Sequence, residues 1–329
     1  FMGATGGALP LASAYLRIVS WSFLLTTCLF VGNACLRGAG DTLSAMRVMM
    51  LVNAVNIVVA AALIYGLLGL PRLGVVGSAL GAAAGRSVGG VVVLWMLVRG
   101  RAGLRLDWRR LAPNAEIVRR ILRIGIPTGV EMLLFRLGDM SYYRVVTSLG
   151  MAACAAHAVA LNAQSLSFSP GFGFAIAATT LVGQGLGARD PKRAESDGYL
   201  AFRLGAIVMT IAGVFFFVFS RQIVSVFTND LRVVALGSGP LRVVAVVQPL
   251  LASTMIFSGA LRGAGDTRFP MLSNGTSVLV VRFGLALLFV NGLGLGLMGA
   301  WYALATDMAT RGLLNFLRFR SRGWQKVRV

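Results

Sequence analysis

Between residues 11 and 316 the chain is a succession of apolar stretches about twenty residues long, separated by short breaks containing Gly, Pro or Arg. Wound as an α-helix rising about 1.5 Å per residue, such a stretch crosses the roughly 30 Å hydrocarbon layer of a bilayer. Backbone N–H and C=O groups find no water there, so each segment satisfies them internally by forming a helix. Breaks placed at the Gly/Pro and charge clusters give about nine expected spans, at residues 11–35, 46–66, 74–98, 125–148, 152–183, 199–220, 238–260, 270–291 and 294–316. The expected fold class is an all-α membrane protein. With 57% hydrophobic and 13% charged residues, no stretch is left for a soluble domain.

The net charge of +20 comes almost entirely from arginine, since Lys192 and Lys326 are the only lysines. In a soluble chain that excess would point to nucleic acid; here it sits between the spans and in the tail, where basic residues hold cytoplasmic loops against anionic headgroups. Stretch 99–123, the loop 184–198 with Arg189, Lys192 and Arg193, and the terminal "LRFRSRGWQKVRV" are basic, whereas the turns near 149 and 292 carry no charge. The positive-inside rule therefore assigns the basic segments and the C-terminus to the cytoplasm. Cys28, Cys35 and Cys154 lie in apolar stretches with neither disulfide nor zinc spacing, and read as packing residues.

The heptapeptide "LRGAGDT" occurs at 36–42 and again at 261–267. Six expected helices separate the copies, an even number, so the repeat is parallel: two six-helix lobes related by an axis along the membrane normal. "GVVGSALG" (74–81) follows the first copy much as "GLMGAWYA" (296–303) follows the second. Three helices of its lobe precede the second copy and one precedes the first, so an N-terminally incomplete chain is expected, lacking its first two to three helices. Residues 1–98 then form an incomplete N-lobe of three helices, 99–123 a cytoplasmic basic connector, 124–318 a six-helix C-lobe and 319–329 a basic tail. Each heptapeptide reads as a structural turn. Arg37 and Arg262 meet a helix C-terminus and headgroups, glycines end the helix, and Asp41–Thr42 or Asp266–Thr267 cap the next one.

An ionisable side chain inside a bilayer costs about 2.5–3.5 kcal/mol on insertion scales, so each requires a partner or a role. Those within expected spans are Arg86, Glu131, Arg136, Asp139, Arg144, His157, Arg282 and, nearer a helix end, Asp307. Counting back from the turn at Leu149 puts Asp139 and His157 at one depth, Arg136 and Asn162 somewhat deeper, and Glu131 at the level of Ser167 to Pro170. One reading makes Glu131, Asp139, His157, Asn162 and Gln164 the lining of a cation and substrate pathway. The other is a static network in which Asp139 pairs with Arg136 at i,i+3 and His157 caps it. Asp307 and Arg311, at i,i+4, read as a structural pair, and Arg86 and Arg282 have no assigned partner.

Several signals are weak or absent. "GLGLGLMG" (292–299) matches GxGxxG in letters, but no strand precedes it; its glycines are expected to permit close helix packing. "SFSPGFGFA" (167–175) marks a bend at Pro170. Met132, Met140, Phe168 and Phe172 offer either ordinary packing or an adaptable apolar surface. No Walker A, DxxxD or HExxH sequence occurs, so no cofactor, metal or enzymatic activity is expected and the direct energy source is not ATP.

"AAHAVALNAQSLSFSPGFGFAIAATTLVGQGLGARDPKRAE" (155–195), "GIPTGVE" (125–131), both heptapeptides and "RFRSRGW" (318–324) together resemble the multidrug and toxic compound extrusion (MATE) transporters, in particular their DNA-damage-inducible F-like prokaryotic branch. The resemblance covers essentially the whole chain. It implies a monomeric multi-pass protein of the bacterial inner membrane that exports small organic, cationic amphiphilic compounds by alternating access, its two lobes rocking around a central cavity. H⁺ or Na⁺ would drive it. An acid that many relatives carry further along the Glu131 helix corresponds here to Phe135. The N-lobe pattern of Asn followed four residues later by Asp keeps Asn56 but has Ala60, and another acidic position is Leu251. The loss of these positions favours H⁺ over Na⁺. A lipid or polysaccharide-precursor flippase of the same superfamily is the alternative, and would gather Arg86, Arg136, Arg144 and Arg282 around a pyrophosphate; a truncated chain without transport is a third.

Overall fold

The computed structural model describes residues 8–69, 71–107 and 114–327. Those residues form helices and connecting turns with no strand, as the apolar runs require, in two compact units over residues 1–112 and 113–329.

The first unit holds α1 (Ala8–Trp21), α2 (Phe23–Gly38), α3 (Thr42–Tyr65) and α4 (Val75–Val98). The expected span 11–35 is a bent pair: α1 and α2 meet at 55°. At the bend Ser22 turns its backbone N–H to Val19 O, one residue short of the helical partner, and donates its hydroxyl to the same carbonyl at 2.9 Å. Helix α4 is held close to α3 by glycines one turn apart. A Cβ at Gly77 would lie 2.8 Å from the Leu63 carbonyl carbon, and one at Gly81 2.6 Å from Ala60 Cβ. With no hydrophobic driving force between helices in lipid, this close van der Waals approach is what binds them.

The second unit holds α5 (Ala115–Thr147), α6 (Met151–Gly187), α7 (Pro191–Val218), α8 (Ser220–Phe227), α9 (Leu231–Val246), α10 (Gln248–Gly263), α11 (Arg268–Thr276), α12 (Phe283–Leu287) and α13 (Gly296–Arg320). π-Helical turns over Ser277–Arg282 and Leu288–Gly292 flank α12 and make one span of 25 residues with α11. Helix α5 begins about ten residues earlier than hydropathy alone indicates. Asn114 caps it by accepting from Glu116 N at 2.9 Å, so residues 115–123 are its first turns rather than connector; part of the connector, 108–113, lies outside the described residues. Helices α9 and α10, expected as one span, meet at 56° at Val247. Pro249, within the first turn of α10, has no N–H with which to continue the α9 ladder. Helix α6, by contrast, runs unbroken through Pro170.

Five of these helical stretches are long and apolar enough to cross a membrane, and the two bent pairs make seven. Helices α5 and α13 have 33 and 25 residues but carry the ionisable side chains that lower their hydropathy. This is a multi-pass membrane protein.

The two heptapeptides fold alike. Ala39 N donates to Cys35 O, Gly40 N to Arg37 O and Asp41 N to Leu36 O; Ala264, Gly265 and Asp266 repeat the pattern onto Ala260, Arg262 and Leu261. The second glycine takes the left-handed conformation in both, with φ of +91° at Gly40 and +82° at Gly265. "GLGARDP" (185–191) builds the same turn between α6 and α7, with Arg189 at φ +60° where the heptapeptides have glycine. Beyond the backbone the copies diverge. Asp41 caps α3 by accepting from Ser44 N at 3.0 Å, and hydrogen bonding from Ser44 holds its carboxyl below the usual carboxylate range. Asp266 does not cap: it accepts from Arg318 Nε at 2.8 Å, tying the turn to the end of α13, and Thr267 makes no side-chain cap either. The tail is fastened further by Trp324, which stacks on Phe319 and donates its indole N–H to Phe319 O at 2.7 Å. In "GLGLGLMG", Gly299 does pack closely, its Cβ direction 3.0 Å from Phe289, whereas Gly294 and Gly296 serve the turn with φ of +65° and +56°.

Candidate functional site

Helical periodicity sorts the polar residues of the second unit onto shared faces. On α5, Glu131, Phe135 and Asp139 follow at i, i+4 and i+8; on α6, His157, Leu161, Gln164, Phe168 and Phe172 keep the same stripe; on α13, Asp307, Arg311 and Asn315 align. These faces, with parts of α10 and α11, converge on one cavity of about 720 Å³ within the second unit. Its walls are largely apolar and include Met132, Met140, Phe168, Phe172 and Met255. Its charged, amide and imidazole groups are Glu131, Arg136, Asp139, His157, Gln164, Arg262, Asn274, Arg282 and Arg311, and Tyr142, Tyr143, Thr254 and Ser258 add hydroxyls.

Two charge clusters support the cavity. In the first, Glu131 is 2% exposed, and its Oε1 accepts from Arg262 Nη2 and Asn274 Nδ2, both at 2.8 Å. Asn274 is itself fixed, donating to Ser258 Oγ at 3.1 Å and accepting from Asn315 Nδ2 at 3.0 Å. Oε2 of Glu131 is buried with no hydrogen-bond partner. In the second, Asp307 is fully buried, and its Oδ2 accepts from Arg282 and from Arg311, each at 2.7 Å, while Oδ1 takes the Ser277 hydroxyl at 2.7 Å. Arg282 reaches on to the half-exposed Asp139 at 2.7 Å. A buried ion pair holds in low dielectric only when geometry and additional hydrogen bonds offset desolvation; the Asp307 carboxylate has both oxygens bonded, whereas Glu131 keeps one oxygen unpaired. The guanidinium of Arg311 also lies 5.0 Å over the Phe135 ring, so a cation–π contact occupies the position where the family resemblance places an acid in many relatives.

Several sequence expectations are revised by this arrangement. Asp139 meets neither His157 nor Arg136; its partner is Arg282, which wins because the π-helical turn that ends at residue 282 brings a guanidinium against α5 and α13 at once. His157 is 1% exposed and enclosed by aromatic rings, with Trp301 edge-on at 5.3 Å and Tyr142 at 5.7 Å. Asn162 is exposed and does not line the cavity. Arg262, read as a headgroup contact of the turn, is instead the partner of Glu131: its long side chain reaches from the last turn of α10 to the carboxylate on α5. The Asp307–Arg311 pair forms as the spacing indicates, with Arg282 as an additional member. Asn56 and Arg37 belong to the first unit, and Asp41 there pairs with Arg101 at 3.2 Å. Of the four arginines that a pyrophosphate site would gather, Arg136 and Arg282 line this cavity, Arg144 does not, and Arg86 belongs to the first unit. Asn274 escaped notice at the sequence level, although an Asn inside a span, eight residues before an Arg, is the kind of polar interruption that marks an interior face.

The family model for MatE matches residues 1–62 and 127–288, well over half of the chain. The chain belongs to the MatE family of transporters. The probable multidrug resistance protein NorM of Thermotoga maritima is 31% identical over 318 residues, covering 97% of this chain and 68% of that protein. The uncharacterized transporter YisQ of Bacillus subtilis is 29% identical, covering 98% of this chain and 71% of its own length. Among solved structures, a MOP superfamily transporter from Pyrococcus furiosus, described as having reverse polarity of its binding pocket, is similar with a TM-score of 0.91 and 27% identity over 99% of this chain and 73% of that one. MATE in complex with MaL6 gives a TM-score of 0.89, again at 27% identity, over 98% of this chain and 72% of that one.

Proposed function

We propose that the chain is a multidrug efflux transporter of the MATE type, exporting small organic amphiphiles across the bacterial inner membrane by alternating access in exchange for protons. The names of relatives such as NorM support efflux as the activity. The observation that carries the coupling is Glu131, buried beside the cavity with one oxygen held by Arg262 and Asn274 and the other unpaired. Protonation would remove the charge to which Arg262 is bound. Because Arg262 sits in the last turn of α10, next to the 261–267 turn, loss of that bond removes a direct charge link between that turn and α5. Proton coupling is preferred to sodium on the surroundings of Glu131, whose Oε2 is buried without a hydrogen-bond partner. Glu131 also already receives two donors where a sodium ion would need oxygens. The half-exposed Asp139–Arg282 pair faces the same cavity and is the second place where substrate and charge can compete. The pyrophosphate reading is disfavoured within this unit, since Arg282 is already committed to two carboxylates.

Expression in a pump-deficient bacterial host tests the proposal. The wild-type full-length gene should lower accumulation of a panel of fluorescent amphiphiles, and Glu131→Gln, expressed to the same level, should accumulate them as the empty host does. Wild-type efflux by Glu131→Gln would remove Glu131 from the mechanism.

A further inference from the structure

The cavity holds an unbalanced charge. Four guanidinium groups, Arg136, Arg262, Arg282 and Arg311, line it, and three carboxylates, Glu131, Asp139 and Asp307, answer them. Every carboxylate is bound to Arg262, Arg282 or Arg311, which leaves Arg136 exposed to the cavity without an ion pair among the described residues. A bare guanidinium at membrane depth is costly, and water in the cavity meets that cost only in part; a bound anion would meet it directly.

A second observation lies across from it. Gln164 on α6 is 1% exposed and lines the cavity, yet neither its amide N nor its amide O has a hydrogen-bond partner. Counted back along α5 and α6 from their connecting turn, Arg136 and Gln164 differ in depth by less than one helical turn, about 3 Å. A buried amide with both ends unsatisfied carries a desolvation penalty unless a ligand supplies the missing bonds. Around these two groups stand Met132, Met140, Phe168 and Phe172, an apolar and deformable wall.

We propose that this cavity binds amphiphiles bearing a single anionic head of the carboxylate type, with the head on Arg136, the Gln164 amide bonding beside it, and the apolar body against the Met and Phe wall. The inference rests on the transport reading above and narrows it, replacing the cationic substrate that the family resemblance implies. One free arginine suits a monoanion; a pyrophosphate would require several.

The test uses one fluorophore in three charge states: dansylglycine, its amide, and dansylcadaverine, which are anionic, neutral and cationic at pH 7. Binding to the full chain in detergent is read as enhanced dansyl emission. The wild type should bind the anion about tenfold or more tightly than the amide, as expected for one hydrogen bond to a charged group, and the cation most weakly. Arg136→Gln should abolish the preference, Arg136→Lys should retain part of it, and Arg144→Gln, outside the cavity, should leave it unchanged. A cation-first order, or an anion preference that survives in Arg136→Gln, overturns the proposal. Reconstitution separates the two readings: anion binding without proton-driven movement refutes transport and leaves the site, whereas driven movement of the cation alone refutes the site and leaves transport.

Discussion

Asp307 shows how much one side chain holds in place. It is fully buried and binds two arginines and a serine hydroxyl, so it joins α13 to the π-helical turn before α12 and, through Arg282, to α5. Asp307→Asn keeps the shape but leaves the buried Arg311 without a carboxylate and Arg282 with Asp139 alone, a change that costs about 3–5 kcal/mol when a buried pair is broken this way. The midpoint of thermal unfolding in detergent should drop clearly, whereas Arg144→Gln, exposed at the end of α5, should leave it almost unmoved. Spacing alone showed the Asp307–Arg311 pair, because i,i+4 neighbours on one helix meet whatever the rest of the fold does. It did not show Asp139–Arg282 or Glu131–Arg262, which join residues 143 and 131 positions apart. Such pairs depend on how helices rotate against one another, and hydropathy carries no record of that rotation.

Elements behave similarly. Apolar length marks the spans other than α5 and α13, since the bilayer fixes that length, but the breaks at Ser22 and Val247 came from backbone hydrogen bonding and a proline position that an average over twenty residues smooths away. At Pro170, where the sequence marks a bend, α6 remains one continuous helix. At the turns, the sequence is more informative than its letters first indicate. The second glycine of each heptapeptide is required by its positive φ, and the α6–α7 turn makes the same shape with Arg189 in that place. A left-handed L-residue costs roughly 1–2 kcal/mol. Gly265→Ala should therefore lower the unfolding midpoint, and Arg189→Gly should hold it steady or raise it, by about 1 kcal/mol or less once the added freedom of the unfolded chain is counted. If both changes moved the midpoint in the same direction, the shared geometry of the turns would not be what the repeated heptapeptide preserves.

On the scale of the whole molecule, the chain is a set of membrane helices whose paired ionisable side chains gather in the larger of its two units. Unit 113–329 keeps nearly all of them on the inward stripes of α5, α6, α10, α11 and α13, and the cavity they line is the only place among the described residues where a buried carboxylate, an unpaired arginine and an unsatisfied amide face one space. That concentration, rather than any single motif, is the basis for reading the protein as an exporter whose cavity exchanges a proton for a substrate. The most direct test is purified full-length protein in liposomes with an imposed pH gradient, followed by the movement of a fluorescent amphiphile and by an internal pH dye. Opposed flows of substrate and protons are predicted, both abolished by collapsing the gradient with an ionophore and both absent in Glu131→Gln. Substrate movement that ignores the gradient, or that persists with proton counterflow in Glu131→Gln, would contradict the account.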